Sequence, residues 1–175
     1  MINEENQATE EKKKLPLGKI ALAVIALAGI ALIAMFFLGQ GNPSQGNPKA
    51  EFSPASIDLG TVNQSKGIAV TEFSLKNSGE GDLIVNNIAT SCACTEAALA
   101  VDGVEGPKFG MPGHGNANPG WKGTVKPGQE AKIRVYYDPN THGELRGAVT
   151  RSIDVYSNDP EKPAVRLLVS LYQEA

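Results

Sequence analysis

Both cysteines of the chain lie in one tripeptide, Cys92-Ala93-Cys94. On an extended segment residues i and i+2 share a face, with Cα atoms about 6.5 Å apart. That lies at the long end of the disulfide range, so a Cys92–Cys94 bridge requires strain or a local bend and would be easily reduced. Two thiolates on one face also suit a soft metal, copper or zinc. Plain buried thiols are the third possibility. Two sulfurs rarely satisfy a metal alone, and Met111-Pro112-Gly113-His114 supplies a thioether and an imidazole nearby in sequence. Cys92, Cys94, His114 and Met111 together form a candidate soft ligand set. His142 is the only other histidine. The competing interpretation makes Met111 an apolar cover and His114 a solvated loop residue.

Other chemistries are poorly served. The order and spacing differ from a cupredoxin, whose Cys, His and Met ligands cluster in one short loop. A thiol–disulfide enzyme typically uses C-x-x-C at a helix N-terminus, and neither feature is present. Residues 115–122 (GNANPGWK) superficially resemble a phosphate loop, but Trp121 breaks the spacing and Gly123 replaces the hydroxyl residue. There is no G-x-S-x-G and no H-E-x-x-H, and two isolated histidines make a Ser/His/Asp arrangement a poor fit. The expectation is a protein that is not an enzyme and has no catalytic residues.

The elements that must position the cysteines read as strands. Ala69, Thr71, Phe73 and Leu75 alternate on one face and stop at Asn77-Ser78-Gly79. Leu83 and Val85 begin a second strand running towards Cys92. Ala131, Ile133, Val135 and Tyr137 form a third, closed by Asp138-Pro139-Asn140. Val149, Ile153 and Val155 belong to a fourth, and Val165, Leu167, Val169 and Leu171 to a fifth. Shorter candidates lie at 56–62 and 96–101. About seven short strands separated by Gly, Pro, Asn and Asp predict an all-β, immunoglobulin-like antiparallel β-sandwich over residues 51–175. Residues 103–128 stand apart, with 8 Gly and 4 Pro. A loop of that length is either disordered or functional, and its Phe109, Met111, His114 and Trp121 favour function.

Six motifs occur in order: Phe73-Ser-Leu-Lys-Asn-Ser-Gly79, Leu83-Ile-Val, Thr90-Ser-Cys-Ala-Cys-Thr95, Lys126-Pro-Gly-Gln-Glu130, Val135-Tyr-Tyr-Asp138 and Tyr156-Ser-Asn-Asp-Pro160. This set resembles a bacterial family of Ig-like domains of unknown function with an S-C-x-C-T motif, related to the ASH/MSP/hydin domains. The resemblance covers residues 51–172. It implies an immunoglobulin-like sandwich in the cell envelope and no established biochemical activity. The long glycine-rich segment departs from the tighter connection such a family implies.

The N-terminal part has different chemistry. Residues 20–38 are uncharged, and all but Gly29 are apolar. A helix of that length spans about 28 Å, close to a hydrocarbon core. Lys12, Lys13, Lys14 and Lys19 precede it and no basic residue follows until Lys49. By the positive-inside rule, residues 1–19 are a cytoplasmic tail and 20–38 a single-pass signal anchor. The run is too long for a cleaved signal peptide and ends without a small-x-small site. Residues 39–50, with QGNP in tandem, read as a flexible linker. Residues 49–175 carry 12 basic and 15 acidic groups, leaving no basic surplus for nucleic acid. The expectation is a cell-membrane protein with an extracytoplasmic Ig-like module that binds copper or zinc. The alternative is a structural or interaction module in which Cys92-Cys94 is a disulfide or redox pair and an envelope protein is the partner.

Overall fold

The computed structural model of the chain describes residues 46–114 and 118–175, together with Gly29. The segment expected to span a membrane, 20–38, otherwise lies outside the described residues, as do the tail and most of the linker. Among the described residues no helix is long and apolar enough to cross a membrane.

Ten strands form two five-stranded sheets: β1 (Ala50–Ser53), β2 (Ser56–Asn63), β3 (Ala69–Asn77), β4 (Leu83–Thr90), β5 (Thr95–Val101), β6 (Val104–Glu105), β7 (Gly123–Val125), β8 (Glu130–Tyr137), β9 (Gly147–Ser157) and β10 (Ala164–Glu174). One sheet has the order β1-β3-β8-β5-β6 and the other β2-β10-β9-β4-β7. Alternation fixes which face turns inward. On β8, Ala131, Ile133, Val135 and Tyr137 are buried, while Lys132, Arg134 and Tyr136 stay partly exposed. Phe73 and Leu75 of β3 meet Val155, Leu167 and Val169 from the opposite sheet in the main core. A one-residue slip would turn every one of these side chains outward, so burial sets the register.

All seven expected strands are present, with one departure in direction. β2 runs parallel to β10, whereas every other pairing is antiparallel among the named strands. The chain leaves the first sheet after β1 and joins the second across Pro54, which cannot donate to a ladder. It therefore arrives at β10 in the parallel sense. Residues 47–50, assigned by composition to the linker, are built into the sandwich. The Asn47 carbonyl accepts from Glu80 and Gly81 at 3.1 and 3.3 Å, and the Lys49 carbonyl from Ser78 at 2.9 Å. Ala50 is buried.

The described residues of the glycine-rich segment form a wall along the sandwich. Asp102 (φ 51°) and Gly103 (φ 79°) make a two-residue hairpin turn from β5 into β6, the left-handed pair that such a turn demands. The chain then follows the edge of β5, where Phe109 and Ala97 exchange backbone hydrogen bonds of 2.8 and 2.9 Å. It returns as β7 on the edge of β4. Phe109 is buried and meets Trp121 edge-on, ring centroids 5.1 Å apart. Gly106 and Gly123 allow this closure, because a Cβ on either would lie about 3 Å or less from the indole. The sandwich side is thus sealed by the aromatic residues that composition had assigned to function.

Two other motifs also prove architectural. Asn77 is fully buried. Its amide donates to the carbonyls of Gly81 (2.8 Å) and Val125 (2.9 Å), while its oxygen accepts from Gly79 (3.0 Å) and Lys49 (3.3 Å). In the Ser-Asn-Asp-Pro turn, Asn158 accepts from Ile84 at 2.7 Å, and Asp159 accepts from Ala50, Glu161 and Lys162 at 2.8, 2.8 and 3.1 Å.

Candidate metal centre

The cysteines sit where the chain crosses between sheets. β4 belongs to one sheet and β5 to the other, and residues 91–94 connect them. The segment is not extended. A Thr95 amide donating to the Cys92 carbonyl (3.1 Å) closes a tight turn, and the Cys94 amide points at the Cys92 Sγ, 3.4 Å away. The turn supplies the local bend that a straight strand lacks. The Thr90 hydroxyl braces it from within, 2.7 Å from the Thr95 carbonyl and 3.1 Å from that of Cys92. Ser91 ties it to β9 through bonds of 3.0 and 2.9 Å with Ser152. In this geometry both thiols are free; Cys94 is buried and Cys92 half-buried.

The next crossing, from β8 to β9, lies beside it. β5 and β8 are paired with Thr95 opposite Tyr137, so Cys94 and Asp138 are the residues just beyond the two strand ends. The Asp138 amide donates to the Cys94 carbonyl at 2.8 Å. Asp138 then starts the turn of its own loop, its carboxylate accepting from the Asn140 amide at 2.9 Å. Gln64 holds the far side, donating to the carbonyls of Pro139 (3.0 Å) and Gly143 (2.9 Å). Arg146 reaches the Gln64 side-chain oxygen at 3.1 Å. This bracing presents His142 to the cysteine turn, with Nε2 3.2 Å from the Cys92 Sγ.

Cys92, Cys94 and His142 place their three donor atoms within 4.8 Å of one another. Metal–sulfur bonds of about 2.3 Å and metal–nitrogen bonds of about 2.0 Å require donors some 3.6–4.0 Å apart around a shared ion. The Cys92–His142 contact would open by roughly half an ångström on binding. His142 is exposed and Cys94 is not, so the site has a closed floor and an open mouth.

Of the residues expected from sequence, the structure brings Cys92 and Cys94 together and pairs them with His142. His114 is not in this group. It is exposed, and its amide closes a turn on the Met111 carbonyl at 3.0 Å. The physical reason is the wall: its outgoing and returning limbs are paired to β5 and β4, which leaves the Met111–His114 tip as a separate turn. The tip remains adjacent to the cysteine crossing, since the Gly110 carbonyl accepts from Thr90 at 3.3 Å. The selection of His142 depends on the β5–β8 register, which local spacing does not encode.

A cation completes the surroundings. Arg151 lies on β9 between core residues Val149 and Ile153, on the inward-facing alternation. Its Nε donates to the Cys94 Sγ at 3.1 Å and its Nη1 to the Thr150 carbonyl at 3.1 Å. Burial pushes the Cys94 thiol above its ordinary value and the Cys92 contact adds to this, while Arg151 and Thr95 pull the other way. Burial alone would weaken the charge of Arg151, yet Cys94, Cys92 and Tyr137 together outweigh it and the guanidinium is held more firmly protonated. Around this floor Val62, Tyr137, Val149 and Leu171 pack with Cys94 as a small apolar cluster, and Tyr137 donates to Gln173.

Comparison with known proteins supports the architecture. A protein of unknown function from Porphyromonas gingivalis is 19% identical with a TM-score of 0.54, over 77% of this chain and 50% of that one. The chain thus spans half of that protein's length. The ASH/PapD-like domain 7 of human CEP192 is 16% identical with a TM-score of 0.45, over 77% of this chain and 89% of that one. The YadV chaperone is 13% identical with a TM-score of 0.43, over 71% and 51%. At 19% identity the likeness to the Porphyromonas gingivalis protein concerns the fold alone. No curated protein matches the sequence. The family described as Protein of unknown function (DUF1573) matches residues 50–106, a stretch that contains both cysteines and stops before His142 and Arg151.

Proposed function

We propose that the protein is a membrane-anchored envelope module that is not an enzyme and binds one soft metal ion through Cys92, Cys94 and His142. The observation that carries this is the convergence of two thiols and an imidazole, from two separate sheet crossings, within 4.8 Å. Each crossing is braced by its own hydrogen bonds, so the donors are held before an ion arrives and little ordering entropy opposes binding. On binding, each thiol loses its proton to water and the ion takes two thiolates and the neutral imidazole nitrogen. Met111 and His114, on the neighbouring tip, serve as outer donors that meet an arriving ion. The uncharged run 20–38 and the lysines before it support anchoring, with this module outside the cytoplasm.

The test is metal content of the full chain in detergent, loaded under reducing conditions and measured by native mass spectrometry. One copper or zinc ion per chain is expected. Cys92→Ser and His142→Ala should abolish or sharply weaken retention, whereas His114→Ala should leave the stoichiometry unchanged. A chain that retains no metal when reduced, and runs two hydrogens light when oxidised, would overturn this reading in favour of a disulfide-bearing interaction module.

A further inference from the structure

The same three donors and the arginine beneath them also discriminate between metals. We infer that Arg151 is a specificity residue that makes the Cys92–Cys94–His142 centre select monovalent copper over divalent zinc. This rests on the metal centre proposed above and deepens it.

The argument is one of charge and coordination number. Two thiolates and a neutral imidazole carry a charge of −2, so a monovalent ion leaves the complex at −1 and a divalent ion leaves it neutral. Arg151 stays protonated in any protein environment, and its Nε lies 3.1 Å from the Cys94 sulfur on the buried side of the site. Among the described residues no carboxylate pairs with it: its hydrogen bonds go to the Cys94 Sγ and the Thr150 carbonyl. A half-buried cation on an inward-facing strand position needs an anion. The monovalent complex carries a net negative charge shared by its two sulfurs, one of them the contacted Cys94 Sγ, whereas the divalent complex is neutral overall.

Donor number points the same way. The cluster contains three donors, enough for copper(I), a soft ion that thiolates favour and that accepts trigonal coordination. Protein-held zinc is almost always four-coordinate and would need water as its fourth ligand. The closed floor under Cys94 restricts water to the His142 side. Asp138, an acid at the start of the neighbouring loop, turns its carboxylate to the Asn140 amide and the Thr141 hydroxyl and is not among the clustered donors.

The experiment uses the full chain in detergent, kept anaerobic and reduced. Dissociation constants are measured for copper(I) and for zinc(II) by competition with chromophoric chelators specific to each. The unmodified protein should hold copper(I) far more tightly. Arg151→Met keeps volume and removes charge; it should narrow the copper-to-zinc affinity ratio on the order of 10- to 100-fold, the usual scale for an outer-shell partner. Arg151→Lys keeps the charge and should retain most of the preference. Zinc bound as tightly as copper(I) by the unmodified chain would overturn the inference and leave the centre standing. Equal losses for both metals in Arg151→Met, with the ratio unchanged, would assign Arg151 a purely structural role and also overturn it. Should Arg151→Met fail to fold, the unmodified ratio and Arg151→Lys still decide. Failure of the unmodified chain to bind either metal would sink the centre itself.

Discussion

Replacing Asn77 by alanine tests whether the Asn-x-Gly motif after β3 is a fastening of the fold. The change deletes four hydrogen bonds at once. The carbonyls of Gly81 and Val125 are reached through buried bonds, so each loses its partner where water enters poorly. An orphaned buried acceptor costs about 1–3 kcal/mol, giving roughly 2–6 kcal/mol for the two. The amides of Lys49 and Gly79 are only partly buried, so water can replace the asparagine oxygen there at small cost. A total near 4 kcal/mol is a large share of the ~5–15 kcal/mol by which such a domain is stable. For a domain of this size it would lower the melting temperature by about 10–25 °C. The assay is equilibrium denaturation followed by Trp121, the chain's single tryptophan. Asn77→Asp should be no better, because it places an acceptor opposite two carbonyls. A loss below about 1 kcal/mol in Asn77→Ala would refute the reasoning, since even one unsatisfied carbonyl exceeds it.

Two further outcomes follow from the same accounting. The Asp159 carboxylate is disfavoured by burial but receives three backbone amides, which outweigh burial and hold its pKa below the ordinary 3.8. Its folded value is thus lower than its unfolded one, so its stabilisation is complete above the ordinary carboxylate range and disappears as pH falls through the folded value. Asp159→Asn should therefore unfold more easily than the parent at pH 7 and nearly equal it at pH 2, read from denaturant midpoints at the two pH values. Phe109→Ala removes a buried ring from the side wall and should cost about 3–5 kcal/mol. It should also shift Trp121 emission to the red and expose residues 106–122 to proteolysis, detected by mass mapping of the fragments.

The strand pattern was legible because a half-buried strand writes its inward face into alternate residues, as β8 and β10 do over their full length. What composition misjudged was residues 103–128. Its glycine and proline content points to an open loop, although Asp102-Gly103 is itself a hairpin signal. Lys126-Pro127-Gly128-Gln129 is a second turn with the same logic: Gly128 has φ 75° and the Gln129 amide donates to the Lys126 carbonyl at 3.0 Å. Read that way, the segment yields β6 and β7 and its aromatic residues become core. Asn77 and Asp159 could have been binding residues by type, yet each is consumed by backbone groups. The cysteine pair was legible as chemistry, while its third donor was not. His142 is 48 positions beyond Cys94, and only the pairing of Thr95 with Tyr137 brings the two strand ends together.

That pairing also explains why a metal centre would belong at this end of the sandwich. Two sheets packed face to face are joined covalently only where the chain crosses between them, and the two crossings at the site connect β4 to β5 and β8 to β9. An ion held by Cys92, Cys94 and His142 would link these two crossings directly. In the unfolded chain the same link must close a long loop between Cys94 and His142, an entropic penalty that the native fold has already met. Binding would therefore be stronger in the folded state, and the ion would stabilise the sandwich by mass action. Arg151 adds the converse coupling. Without an anionic centre its inward charge faces a thiol that burial keeps protonated, and with one the charge is matched. On the proposed reading, the arginine would therefore favour the ion-bound form of this end of the sandwich.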